Sequence, residues 1–130
     1  MPILNSQNIN HIPEEIGVYK IFAFNLANFP INVNRFCGTD TTGLLYIGKT
    51  DRQNLRKRPY QFYASAHLEM VSHNHSGAQK YFRNQAIRNR LGNNHFLCFE
   101  FEIHDFPNNR ESELLNEYFL QFGEYPPLNK

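Results

Sequence analysis

Short apolar runs punctuate an otherwise polar chain, and most of the predicted architecture comes from them. Gly17 to Phe24, opening Gly-Val-Tyr-Lys-Ile, and Leu44 to Gly48, Leu-Leu-Tyr-Ile-Gly, are each too short for a helix and read as strands. Each carries one tyrosine near a glycine, so pairing the two strands would set Tyr19 and Tyr46 side by side. Over Phe96 to Ile103, Phe99, Phe101 and Ile103 alternate with Glu100 and Glu102, the pattern of a half-buried third strand. Helical spacing then places Leu114, Leu115, Tyr118, Phe119 and Phe122 on one face of a helix from about Arg110 to Phe122, ended by Gly123 and Pro126-Pro127.

Between these runs the signals are weaker. The first dozen residues are polar, and His11 to Glu15 reads as a turn or short helical start. Asn25 to Asp40, rich in Asn, Pro and Gly, is predicted to be a long hairpin connection with a short extended piece around Ile31 to Phe36, and Thr41-Thr42-Gly43 turns into the next strand. Asn54 to Val71 is predicted to be mostly helical, with Pro59 either starting the main helix or kinking it. Ser76 is a candidate N-cap for a helix from about Gly77 to Leu91, with Gly92 as its stop.

A length of 130 residues suits one domain with an ordinary core. Cys37 and Cys98 are far apart and form no C-x-x-C pair, the N-terminus has no leader-like pattern, and no apolar run is long enough to span a bilayer. These features predict a reduced, cytoplasmic chain with no membrane association, and neither cysteine is spaced with a histidine as structural zinc requires. Net charge is only +1, but it is unevenly spread. Between Lys49 and Gly92 stand nine Lys or Arg against Asp51 and Glu69, a local balance of +7, interleaved with Tyr60, Phe62, Tyr63, Tyr81 and Phe82. Basic and aromatic residues mixed in this way suit a surface that meets phosphates and bases; a solvated helical face over core aromatics is the plainer alternative.

Taken together, the ordered pieces resemble the GIY-YIG nucleases. Gly17-Val18-Tyr19 resembles the first half of the naming motif and Tyr46-Ile47-Gly48 the second, with Lys49-Thr50 continuing it. Leu55-Arg56-Lys57-Arg58 resembles the start of the family's first helix, and His75-Ser76 with the following helix resembles the later half of phage homing endonucleases of the family. Glu117, twelve residues before Asn129, resembles the closing glutamate and terminal asparagine. The likeness covers about Ile12 to Asn129. It implies an α+β fold, a small three-stranded antiparallel sheet flanked by helices, and hydrolysis of DNA phosphodiesters with Mg²⁺ or Mn²⁺.

By the same resemblance, Glu117 is expected to ligate the metal, Tyr19 to activate water, and Tyr46 to orient the water or the phosphate. A free phenol has a pKa of about 10, so ionising Tyr19 near neutral pH needs roughly 4 kcal/mol of help, for which Lys49 and the metal are the expected sources. The essential arginine is either Arg58, which fits the spelling from Leu55, or Arg56, which fits the ungapped distance from Tyr46. Tyr60, Tyr63 or His67 is the expected neighbouring proton carrier. Arg52, Lys57, Tyr63, His67, His75, Lys80, Arg83 and Asn129 are the candidate nucleic-acid contacts, with Asn129 better suited to tying down the C-terminus. His73-Asn74-His75 spells another nuclease's name only by coincidence. With no separate DNA-binding domain expected, specificity falls to loops, a homodimer or a partner protein, the Asn25 to Asp40 connection being one source. The rival is a binding module that keeps the fold without catalysis.

Overall fold

A computed structural model describes residues 3–12, 14–50, 58, 80–81, 84–92 and 94–129. Its centre is strand β1 (Gly17–Asn25), flanked by β4 (Leu44–Thr50) and β5 (His95–Ile103) in a three-stranded antiparallel sheet of order β4-β1-β5. The sheet and its helices make an α+β chain, as expected. Being central, β1 is covered on both faces, which explains why its sequence is a nearly continuous apolar run. Tyr19, Ile21 and Ala23 face one core with Leu4, Ile9, Ile12, Leu45, Leu91, Leu97, Phe99 and Leu128. Val18 and Phe22 face the other, with Leu44, Ile47 and Cys98, under Leu114, Tyr118 and Phe122 of the last helix.

That last helix, α3 (Pro107–Phe122), has proline in its first turn, where a missing N–H is harmless, and Gly123 in the left-handed conformation at its C-cap. A short helix α1 (Ser6–Ile9) is capped by the Asn5 side chain, and α2 (Gln85–Leu91) ends at Gly92 as predicted, with Asn84 as its N-cap. The expected cap Ser76 and nearly all of the predicted Asn54 to Val71 helix lie outside the described residues.

Both exposed edges of the sheet are covered locally by terminal segments. Ile3 forms a bridge with Cys98 on β5, and the Leu128 amide donates to the Leu45 carbonyl on β4 at 2.8 Å. Within the Asn25 to Asp40 connection, β2 (Val33–Arg35) and β3 (Gly38–Asp40) form a small hairpin. Its polar, Asn-rich sequence gave only a hint of the extended piece. It is pinned by tertiary contacts: Tyr118 donates to the buried Asp40 carboxylate at 2.7 Å, and Arg35 bonds to Glu124 and the Tyr125 carbonyl. The expected alternation of β5 stops early, since Leu97, Cys98 and Phe99 are buried while Phe101 and Ile103 are exposed and join neither core. Among the described residues no helix is long and apolar enough to cross a membrane, and neither cysteine is in a disulfide.

Candidate active site

The two glycines of the paired motif are required by contact. A Cβ on Gly17 would lie 2.1 Å from the Glu102 carbonyl oxygen, so only glycine lets β1 and β5 approach so closely there. Gly48 pairs with Tyr19 across the ladder, and a Cβ on it would lie 2.5 Å from the Tyr19 ring and 2.7 Å from the Tyr46 ring. Tyr46 sits diagonally on the same face, opposite Ile21, and the two ring centres are 6.0 Å apart at 48°. Gly48 is therefore the bare floor on which both tyrosines rest.

The two hydroxyls are hydrogen-bonded to each other and to Arg58. A guanidinium can only donate, so Arg58 donates to both phenol oxygens. Of the two arginines that compete in the sequence, Arg58 thus reaches the tyrosines; Arg56 lies outside the described residues. Burial pushes the Tyr19 phenol well above its ordinary value of 10.0, Tyr46 adds to the rise, and Arg58 opposes it. Tyr46 is raised mainly by burial, with Arg58 lowering it and the Glu111 carboxylate raising it. Tyr19 is 1 % exposed, whereas Tyr46 is half-buried and opens into a cleft of about 470 Å³.

That cleft lies beside the β4 edge, where Tyr46 meets Lys80, Glu111, Tyr125, Leu128 and Asn129. Its carboxylate is Glu111, in the first turns of α3. Glu117, singled out by its distance from Asn129, is exposed and does not line the cleft. The reason is helical phase: Glu111 precedes Leu115, Tyr118 and Phe122 by steps of four, three and four, on the sheet-facing stripe, and six residues rotate Glu117 about 120° away from it. That spacing was the available signal for Glu111.

Asn129 closes the cleft by imitating a strand partner. Its Oδ1 accepts from the Ile47 amide at 3.0 Å and its Nδ2 donates to the Ile47 carbonyl at 2.9 Å. Lys80 Nζ donates to the Asn129 carbonyl at 3.1 Å, so the ammonium is held at the cleft by the tail itself. Lys49 departs from its expected place beside Tyr19. Strand alternation sets it with Ile47 and Val18 on the α3 side of the sheet, where Nζ donates to Asn108 Oδ1. Arg52, Lys57, Tyr60, Tyr63, His67, His75 and Arg83 lie outside the described residues. No group of three or more His, Cys, Asp or Glu side chains gathers among the described residues, so a metal at the cleft would have Glu111 as its protein ligand there.

Compared with models of known families, with curated proteins and with solved structures, the chain finds no match.

Proposed function

We propose that the protein is a divalent-metal-dependent endonuclease that hydrolyses DNA phosphodiester bonds as the GIY-YIG nucleases it resembles do. One observation carries this reading: two tyrosine hydroxyls and an arginine share a hydrogen-bonded cluster that reaches a cleft through Tyr46, where Glu111 is the carboxylate among the described residues. Phosphodiester hydrolysis needs an activated water and positive charge on the phosphoryl oxygens. Arg58 offers a planar fork to those oxygens and Lys80 adds a point charge at the rim.

Tyr46 takes the role of orienting and deprotonating the water, because it lines the cleft while Tyr19 is buried in the core. Tyr19 positions the Tyr46 oxygen and shares Arg58 with it. The sharing matters: burial and Glu111 raise the cost of ionising Tyr46, and Arg58, in contact with both phenols, together with the hydrogen bond from Tyr19 offsets part of it. The donor set fits Mg²⁺ or Mn²⁺, since a lone hard carboxylate leaves most coordination positions to water and phosphate oxygens. Once bound at Glu111, such an ion would supply Lewis-acid charge neutralisation at the scissile phosphate. Asn129 acts structurally, holding the tail that frames the cleft.

Cleavage of supercoiled plasmid by the purified chain, with Mg²⁺, with Mn²⁺ and with EDTA, tests the proposal beside Tyr46→Phe. Metal-dependent nicking that the variant loses by about 10²-fold or more supports it. Salt-sensitive DNA binding with no cutting under any condition refutes the nuclease and leaves a binding module.

A further inference from the structure

A second cavity, of about 350 Å³, is lined by residues that adjoin those of the cleft. The two share β4 and the C-terminal tail: Leu45 and Pro127 line the second cavity, while the adjoining Tyr46 and Leu128 line the first. They therefore adjoin through consecutive residues of β4 and of the tail. The second cavity combines apolar Leu45, Ile87 and Leu91 with polar Asn32 and Asn34 from the β2 segment and Arg90 from α2. At the small end of the roughly 300 to 1,000 Å³ spanned by ligand pockets, it is sized for one flat ring system.

The polar groups are available. Arg90 and Asn32 are both exposed, and neither has a hydrogen-bond or ion-pair partner among the described residues. The hairpin that follows Asn32 is pinned, because Arg35 is tied to Glu124 and to the Tyr125 carbonyl and the Cys37 amide donates to the Phe122 carbonyl. Arg90 belongs to the basic stretch with its +7 balance, which favours a polyanion over a neutral solute.

Resting on the nuclease reading, we propose that this cavity receives an unstacked base of the substrate strand, from the scissile nucleotide or its neighbour. Leu45, Ile87 and Leu91 cover the face of the ring, the Asn32 amide reads its hydrogen-bonding edge, and Arg90 holds the adjoining phosphate. The Asn25 to Asp40 connection thereby contributes base preference next to the cut.

The test is binding of labelled single-stranded homopolymers of dA, dC and dT, by fluorescence anisotropy in EDTA. The wild type is expected to prefer one base by about tenfold, near the lower end of what one good edge contact gives. Asn32→Ala, a mild change, and Ile87→Trp, which fills the cavity, are each expected to bring the three affinities within about twofold while leaving the salt dependence unchanged. Equal wild-type affinities, or a preference that survives Asn32→Ala and a folded Ile87→Trp, overturn the proposal. Plasmid cleavage run in parallel separates the two readings: cutting with base-indifferent binding defeats the base pocket alone, and base-selective binding without cutting defeats the nuclease alone.

Discussion

Replacing Gly48 by alanine probes the contact on which the site is built. On an ordinary strand the change should stabilise, because alanine loses less conformational freedom on folding than glycine, by roughly 0.5 to 1 kcal/mol. Here the new Cβ would lie 2.5 Å from Tyr19 Cζ, 2.6 Å from its hydroxyl oxygen and 2.7 Å from Tyr46 Cε1, all closer than real Cβ contacts come. Tyr19 is 1 % exposed and packed among Ile21, Phe99 and Leu45, so its ring has no open space to enter. Overpacking of this kind costs about 1 to 3 kcal/mol, and with one buried and one half-buried ring involved Gly48→Ala should destabilise by about 2 kcal/mol net. For a chain of this length that corresponds to a fall in Tm of about 6 to 10 °C. Thermal unfolding by circular dichroism, with urea titration to confirm an unchanged m-value, measures it. The loss should shrink by more than half in a Tyr19→Leu background, where the ring is gone. An alanine variant as stable as the wild type, or more so, would refute the claim that Gly48 is the floor of the tyrosine pair.

Three further outcomes follow from named contacts. Asn129→Ala removes both bonds to Ile47 and should cost about 1 to 3 kcal/mol, while Asn129→Asp, which keeps the acceptor but faces the Ile47 carbonyl with a carboxylate, should cost no less; urea denaturation checks both. Tyr118→Phe leaves the buried Asp40 without the 2.7 Å bond that joins the hairpin to α3 and should lower stability by about 1 to 3 kcal/mol, read as a shifted urea midpoint. Tyr19, Tyr46 and Tyr118 all have phenols raised above the ordinary 10.0 in the fold. Their contribution to stability is complete below pH 10 and is lost as pH rises above it, because the unfolded chain ionises first. Stability measured in guanidinium should therefore fall above pH 10, and Tyr118→Phe should flatten part of that fall; a profile level to pH 11.5 would contradict the burial of these groups.

The strands were legible where burial dictates sequence. β1 and β4 are covered on both faces and read as apolar runs, and α3 announced itself through Leu114, Tyr118 and Phe122. The β2–β3 hairpin was not, because docking holds it: Asp40 to Tyr118 and Arg35 to Glu124 join positions 78 and 89 apart in the chain. The tyrosine pair could be read from order alone, whereas Glu111 could not be found by counting back from Asn129, since a count along the chain ignores the phase at which α3 packs. Lys49 was misplaced for a similar reason. Adjacency to Gly48 in sequence puts it on the opposite face of the strand.

The proposed nuclease stands or falls most directly on plasmid cleavage by Glu111→Ala and Glu117→Ala beside the wild type, in Mg²⁺. The cleft geometry predicts that the Glu111 variant loses metal-dependent cutting by about 10²-fold or more while remaining folded, and that the Glu117 variant cuts within a few-fold of the wild type. Full activity in Glu111→Ala, or loss confined to Glu117→Ala, would contradict it.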